Sequence, residues 1–94
     1  MTISVMVVDD HPMWRDGVAR DLEAEGFTVA ATADGVASAA RRAAAVRPDV
    51  VLMDMQLVDG SGAEATAKVL EVSPDSKVLV LSASDERDDV LHAI

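Results

Sequence analysis

Three aspartates pose a chemical problem. Asp9 and Asp10 close a largely β-branched run, Ile3 to Val8, and Asp54 closes a second apolar run of Val50, Val51, Leu52 and Met53. If both runs are parallel strands, their ends lie side by side and the three carboxylates converge on one point. Within a few ångströms of one another they repel by several kcal/mol at intermediate dielectric, so the cluster needs a cation or a proton. Oxygen-only donors select hard ions. Mg²⁺ fits them best, because it takes one or two carboxylates, keeps several waters and recruits phosphate oxygens.

The elements that would position these residues alternate along the chain. Ile3 to Val8, Asp49 to Asp54 and Lys77 to Leu81 read as buried strands, and Thr28 to Thr32 as a weaker one. Pro12 opens a helix whose Met13, Trp14, Val18 and Leu22 recur at helical spacing until Gly26. Asp34 or Gly35 begins a second, with an alanine-rich stripe of Val36, Ala39, Ala40, Ala43 and Val46 ahead of Pro48. The third runs from Ser61 to Val72 with Ala63, Thr66, Ala67 and Leu70 on its apolar side. A fourth begins near Ser84 or Asp85 and carries Val90, Leu91 and Ile94.

This βαβαβαβα order predicts an α/β fold, a doubly wound parallel sheet with four strands in the order 2-1-3-4. Ligands of such sheets sit beyond the carboxyl ends of the strands, where strand order reverses. Asp9, Asp10, Asp54 and Ser82 all fall at carboxyl ends.

Composition narrows the function classes. Ninety-four residues make one small domain, burying about 60 to 65% of its unfolded surface. With Trp14 and Phe27 the only aromatics, the core must be Val, Ala, Leu and Met. A formal charge of −9 argues against contact with nucleic acid or anionic lipid through this surface. The chain has no cysteine, hence no disulfide and no thiol nucleophile. The first apolar run is too short for a signal peptide or a membrane span, so the cytoplasm is the expected location.

The run Val7-Val8-Asp9-Asp10-His11-Pro12, followed by Trp14-Arg15-Asp16-Gly17-Val18, resembles the start of response-regulator receiver domains of the NarL/LuxR type. Asp54, Gly62 and Ser82 extend the likeness over the whole chain. The resemblance implies that Asp54 accepts a phosphoryl group from a sensor histidine kinase. It also implies that Asp10 and Asp54 ligate Mg²⁺ directly, that Asp9 acts mainly through water, and that the Gln56 backbone carbonyl adds another oxygen. Ser82 would hydrogen-bond the phosphoryl group as the switch. It implies, too, a transcription regulator that binds DNA through a C-terminal helix-turn-helix domain absent from these residues.

Two departures from the family pattern carry expectations. Leu57 and Val58 stand where the family commonly has Met-Pro, so the loop after Asp54 loses the fixed φ of proline and is expected to be more mobile. The family also continues into a fifth strand and fifth helix, with an aromatic switch residue and a lysine that pairs with the phosphoryl group. Residues 1–94 are therefore expected to be a C-terminally truncated receiver domain, either an excerpt or completed by a second chain. In that case Lys77 to Leu81 is an apolar edge, open to a homodimeric or strand-exchanged assembly.

Milder readings apply elsewhere. Asp49 and Asp59 are expected to be solvated, His11 to pack beside the first helix, Trp14 to be partial core and Ser61 to be a helix cap. The acidic group Asp85, Glu86, Asp88 and Asp89 reads as a helix N-terminal charge preference. Two rival functions remain: a pseudo-receiver or dimerisation module that is never phosphorylated, and a Mg²⁺-dependent aspartyl phosphohydrolase. The second usually wants a carboxylate two residues past its nucleophile, and position 56 is Gln.

Overall fold

Alternation along the strands decides which helix covers which face. A computed structural model describes residues 2–81, so the expected fourth helix, Ser82 and the acidic group from Asp85 to Asp89 lie outside the described residues. Within them run β1 (Ser4–Val8), α1 (Pro12–Ala24), β2 (Thr28–Ala33), α2 (Val36–Val46) and β3 (Val50–Asp54). A short pair follows, β4 (Gln56–Leu57) and β5 (Gly60–Ser61), then α3 (Gly62–Val72) and β6 (Lys77–Leu81). The main sheet is parallel in the order β2-β1-β3-β6, the expected topology.

Successive β1 side chains point to opposite faces. Val5 and Val7 join Leu52, Val18 and Leu22 under α1, with Trp14 and Phe27 partly buried against them. Met6 and Val8 join Val51 and Met53 under Ala39 and Ala43 of α2 and Ala65 and Val69 of α3. Both faces are covered, so the central strands need no polar side. Ala39 and Ala43 are fully buried, and their small side chains bring α2 close to the sheet.

The buried stripes of two helices differ from expectation. On α1 the inward residues are Gly17, Val18 and Leu22, and Met13 is 89% exposed. On α3 they are Gly62, Ala65 and Val69, whereas Ala63, Ala67 and Leu70 face outward. Alanines on several sides of α3 make two stripes equally apolar, and a close approach decides between them. A Cβ at Gly62 would overlap the Asp54 carbonyl oxygen and lie 3.0 Å from Met55 Cα, so only glycine can face the strand there. Ala65 and Val69 follow at helical spacing.

The segment after Asp54, where the family's proline is missing, folds into a short strand pair. Gln56 pairs with Ser61 and Leu57 with Gly60 in an antiparallel ladder, and Leu57 is buried in the core. The Gly62 N–H donates to the Met55 carbonyl at 2.7 Å. Ser61 caps α3, accepting the Glu64 N–H at 3.1 Å, as expected.

Asp49 and Asp59 are both exposed, as the solvated reading expects, and each also makes hydrogen bonds that the sequence did not suggest. Asp49 accepts from the Ser4 N–H at 2.9 Å and from the Ser4 hydroxyl at 3.2 Å, fixing the starts of β1 and β3 to each other. Asp59 accepts from the Val36 N–H at 2.6 Å and the Ala37 N–H at 3.3 Å, so it caps α2 from a loop 23 residues away. A negative charge at a helix N-terminus is favourable. The two N–H groups hold the Asp59 carboxyl below its ordinary value of 3.8. With its folded pKa depressed, this contribution to stability is complete above the unfolded pKa and is lost as pH falls through the folded one. Asp59→Ala is accordingly expected to lower Tm at neutral pH, and its deficit against the wild type should shrink below about pH 4. Thermal melts across that range check it; a deficit independent of pH would place the effect elsewhere.

Candidate metal centre

β1 and β3 are adjacent and parallel, with Val8 paired to Met53, so the residues after Val8 meet Asp54 at the carboxyl end of the sheet. β2 lies on the other side of β1, which makes the β1–β3 boundary the place where strand order reverses. One ligand atom from each of Asp9, Asp10, His11 and Asp54 falls within 4.8 Å of the others. The three sequence-predicted carboxylates are therefore together, and His11 joins them.

Each is held differently. Asp9 is buried; its Oδ1 accepts the His11 N–H at 2.9 Å and lies 3.0 Å from His11 Nδ1. The Asp9 N–H continues the β1–β2 ladder by donating to the Ala33 carbonyl at 3.0 Å. Asp10 Oδ1 comes within 2.9 Å of the same His11 nitrogen, yet it is buried with no hydrogen bond. His11 is thus an exposed ring leaning over the acids and not a residue packed beside the helix.

The electrostatics follow from this crowding. Burial and the charge of Asp9 push the Asp54 carboxyl up, against the Gln56 and Met55 N–H groups, which favour its charged form. The Asp9 hydrogen bond and the charges of Asp10 and Asp9 raise the His11 imidazole. Three oxygen donors, one of them buried and unpaired, fit a hard divalent cation. A cavity of about 470 Å³ opens over them, lined by Asp10, His11, Asp54, Met55 and Gln56. It is large enough for a hydrated ion and a phosphoryl group together.

Gln56 is exposed at the start of β4 and lines the cavity. Leu81 pairs with Asp54, and the predicted switch residue Ser82 lies outside the described residues. Lys77 pairs with Val50 at the opposite end of the sheet from Asp54. His11 is the site member that residue type alone undervalued. Its signal was its place directly after the aspartate pair, where the turn must fold it back.

The chain belongs to the response regulator receiver domain family, whose model matches residues 5–94. Among curated proteins it is 38% identical over 93 residues to the transcriptional regulatory protein DegU of Brevibacillus brevis, covering 98% of this chain and 39% of that protein. It is 42% identical over 85 residues to the response regulator GacA of Pseudomonas aeruginosa, covering 89% and 40%. Among solved structures it is similar to the signal receiver domain of the putative response regulator NarL from Mycobacterium tuberculosis. That match has a TM-score of 0.80 and 36% identity, over 98% of this chain and 75% of the other. The chain spans about two fifths of the length of these curated relatives.

Proposed function

We propose that this receiver domain accepts a phosphoryl group on Asp54 from a sensor histidine kinase, with Mg²⁺ held by Asp9, Asp10, Asp54 and the Gln56 carbonyl. The observation that carries the reading is the convergence of the three carboxylates at the β1–β3 boundary. When bound, Mg²⁺ would neutralise charge on the acceptor and on the incoming phosphoryl oxygens. Asp10 and Asp54 would hold the ion directly, and buried Asp9 would act mainly through water. Asp54 attacks phosphorus, the P–N bond of the donor phosphohistidine breaks, the imidazole leaves, and an acyl phosphate forms. Ser82, next after the strand that flanks Asp54, then hydrogen-bonds the added oxygens and moves.

Residues 1–94 are read as the receiver portion of a longer transcription regulator, acting in the cytoplasm and binding DNA through a separate helix-turn-helix domain. Support comes from relatives that are transcriptional regulators and from a surface too acidic for DNA. No helix among the described residues is long and apolar enough to cross a membrane. Among those residues β6 pairs with β3 alone, so its outer edge is where a fifth strand or a second copy would add. The domain is read as a phosphoacceptor and not an enzyme, one that assists its own phosphorylation and dephosphorylation; Gln56 offers no carboxylate for the acid–base work of an aspartyl phosphohydrolase.

Intact mass after incubation with a small phosphodonor tests the reading. An adduct of about 80 Da, one phosphoryl group, is expected with Mg²⁺ and not with EDTA. The same adduct in both conditions would remove the metal from the account.

A further inference from the structure

A second cavity lies at the carboxyl end of β2, at the sheet's other edge, and its lining is cationic. It measures about 220 Å³ and brings Arg15 of α1 together with Arg41 and Arg42 of α2, beside Thr32, Asp34 and Ser38. α1 and α2 cover opposite faces of the sheet, so the arginines close on the end of β2 from two sides. Three of the eight basic residues of a chain with formal charge −9 share this one cavity.

Of the three arginines only Arg15 has an acidic partner among the described residues, a long 3.9 Å contact from its Nε to exposed Asp16. Among the described residues neither Arg41 nor Arg42 forms an ion pair, and both are exposed. Asp34 is the one carboxylate in the lining, and its Oδ1 accepts the Ser38 hydroxyl at 2.9 Å. Arg15 is held in place, its Nη1 donating to the Asp9 carbonyl at 3.1 Å, with its side chain only 20% exposed. A guanidinium has five donors, so most of Arg15 remains available.

We propose that this cavity binds the phosphate group of a small phosphorylated ligand, at a site separate from the three aspartates. Guanidinium forks arriving from two directions suit a tetrahedral anion with oxygens on several sides, whereas a planar carboxylate matches one fork. The volume is below the roughly 300 to 1,000 Å³ of pockets for drug-sized ligands, so the occupant is compact. Because Arg15 also holds the Asp9 carbonyl, an anion here contacts the residue that anchors the start of the acidic cluster.

Magnesium-free buffer isolates the site, because the three carboxylates then repel phosphate. Inorganic phosphate titrated into the chain, followed by amide NMR at constant ionic strength, should give saturable shifts confined to residues 32–42 and to Arg15. Arg41→Gln with Arg42→Gln, on an exposed helix face where glutamine is a good helix former, should weaken binding at least about tenfold, the loss expected from one charge-assisted hydrogen bond or more. Circular dichroism confirms that the variant is folded. Shifts equal to those from sodium chloride, binding unchanged in the double variant, or malonate binding as tightly as phosphate would each overturn the proposal.

Discussion

Gly62→Val is expected to destabilise the protein by about 3 kcal/mol, at the upper end of overpacking penalties. The reason is what the new side chain meets. A Cβ at this position would overlap the Asp54 carbonyl oxygen and approach Met55 Cα at 3.0 Å, and both are backbone atoms with no rotamer to retreat into. The Gly62 N–H also bonds the Met55 carbonyl at 2.7 Å, so α3 can move off only by breaking that bond. Urea unfolding measures the loss. Gly26→Ala provides the contrast: Gly26 has φ +96° and nothing within 4 Å of an added Cβ, so it should cost only about 1 kcal/mol, from backbone conformation alone. Equal losses at both positions would contradict the steric account of Gly62.

The second large effect has two opposed signs. Asp10→Asn is expected to lower Mg²⁺ affinity by at least about tenfold, since even residues that merely orient metal ligands cost 10- to 100-fold when removed. In metal-free buffer the same substitution should stabilise the fold, by on the order of 1 kcal/mol, because a like charge leaves a cluster confined within 4.8 Å. Asp10 Oδ1 is buried without a hydrogen bond, so what neutralising it forfeits is its 2.9 Å contact with the exposed His11 ring. Calorimetric Mg²⁺ titration and thermal melts in EDTA read the two effects independently. A variant less stable than wild type in EDTA would mean that His11 already compensates the charge.

The layers of the fold were legible because each strand carries its own apolar run and each crossover its own helix signals. Asp9, Asp10 and Asp54 could be brought together on paper, since parallel neighbouring strands must end side by side. What escaped the sequence was set by distant partners. Asp59 caps α2 across 23 residues and Asp49 binds Ser4 across 45, and a carboxylate in a loop shows no local trace of either bond. The inward face of α3 was misread for a related reason: its alanines are ambiguous, and Gly62 resolves them only once Asp54 is beside it. The β4–β5 pair escaped because two-residue strands leave no periodicity to detect.

The position of the adduct bears most directly on the central claim, that Asp54 is the phosphoryl acceptor of a three-carboxylate Mg²⁺ site. Peptide mapping of the protein after treatment with Mg²⁺ and a small phosphodonor should place one hydroxylamine-labile group of about 80 Da on the peptide containing Asp54. Asp54→Asn should carry none. An adduct on any other residue, or one that persists at full yield in Asp54→Asn, would contradict the account.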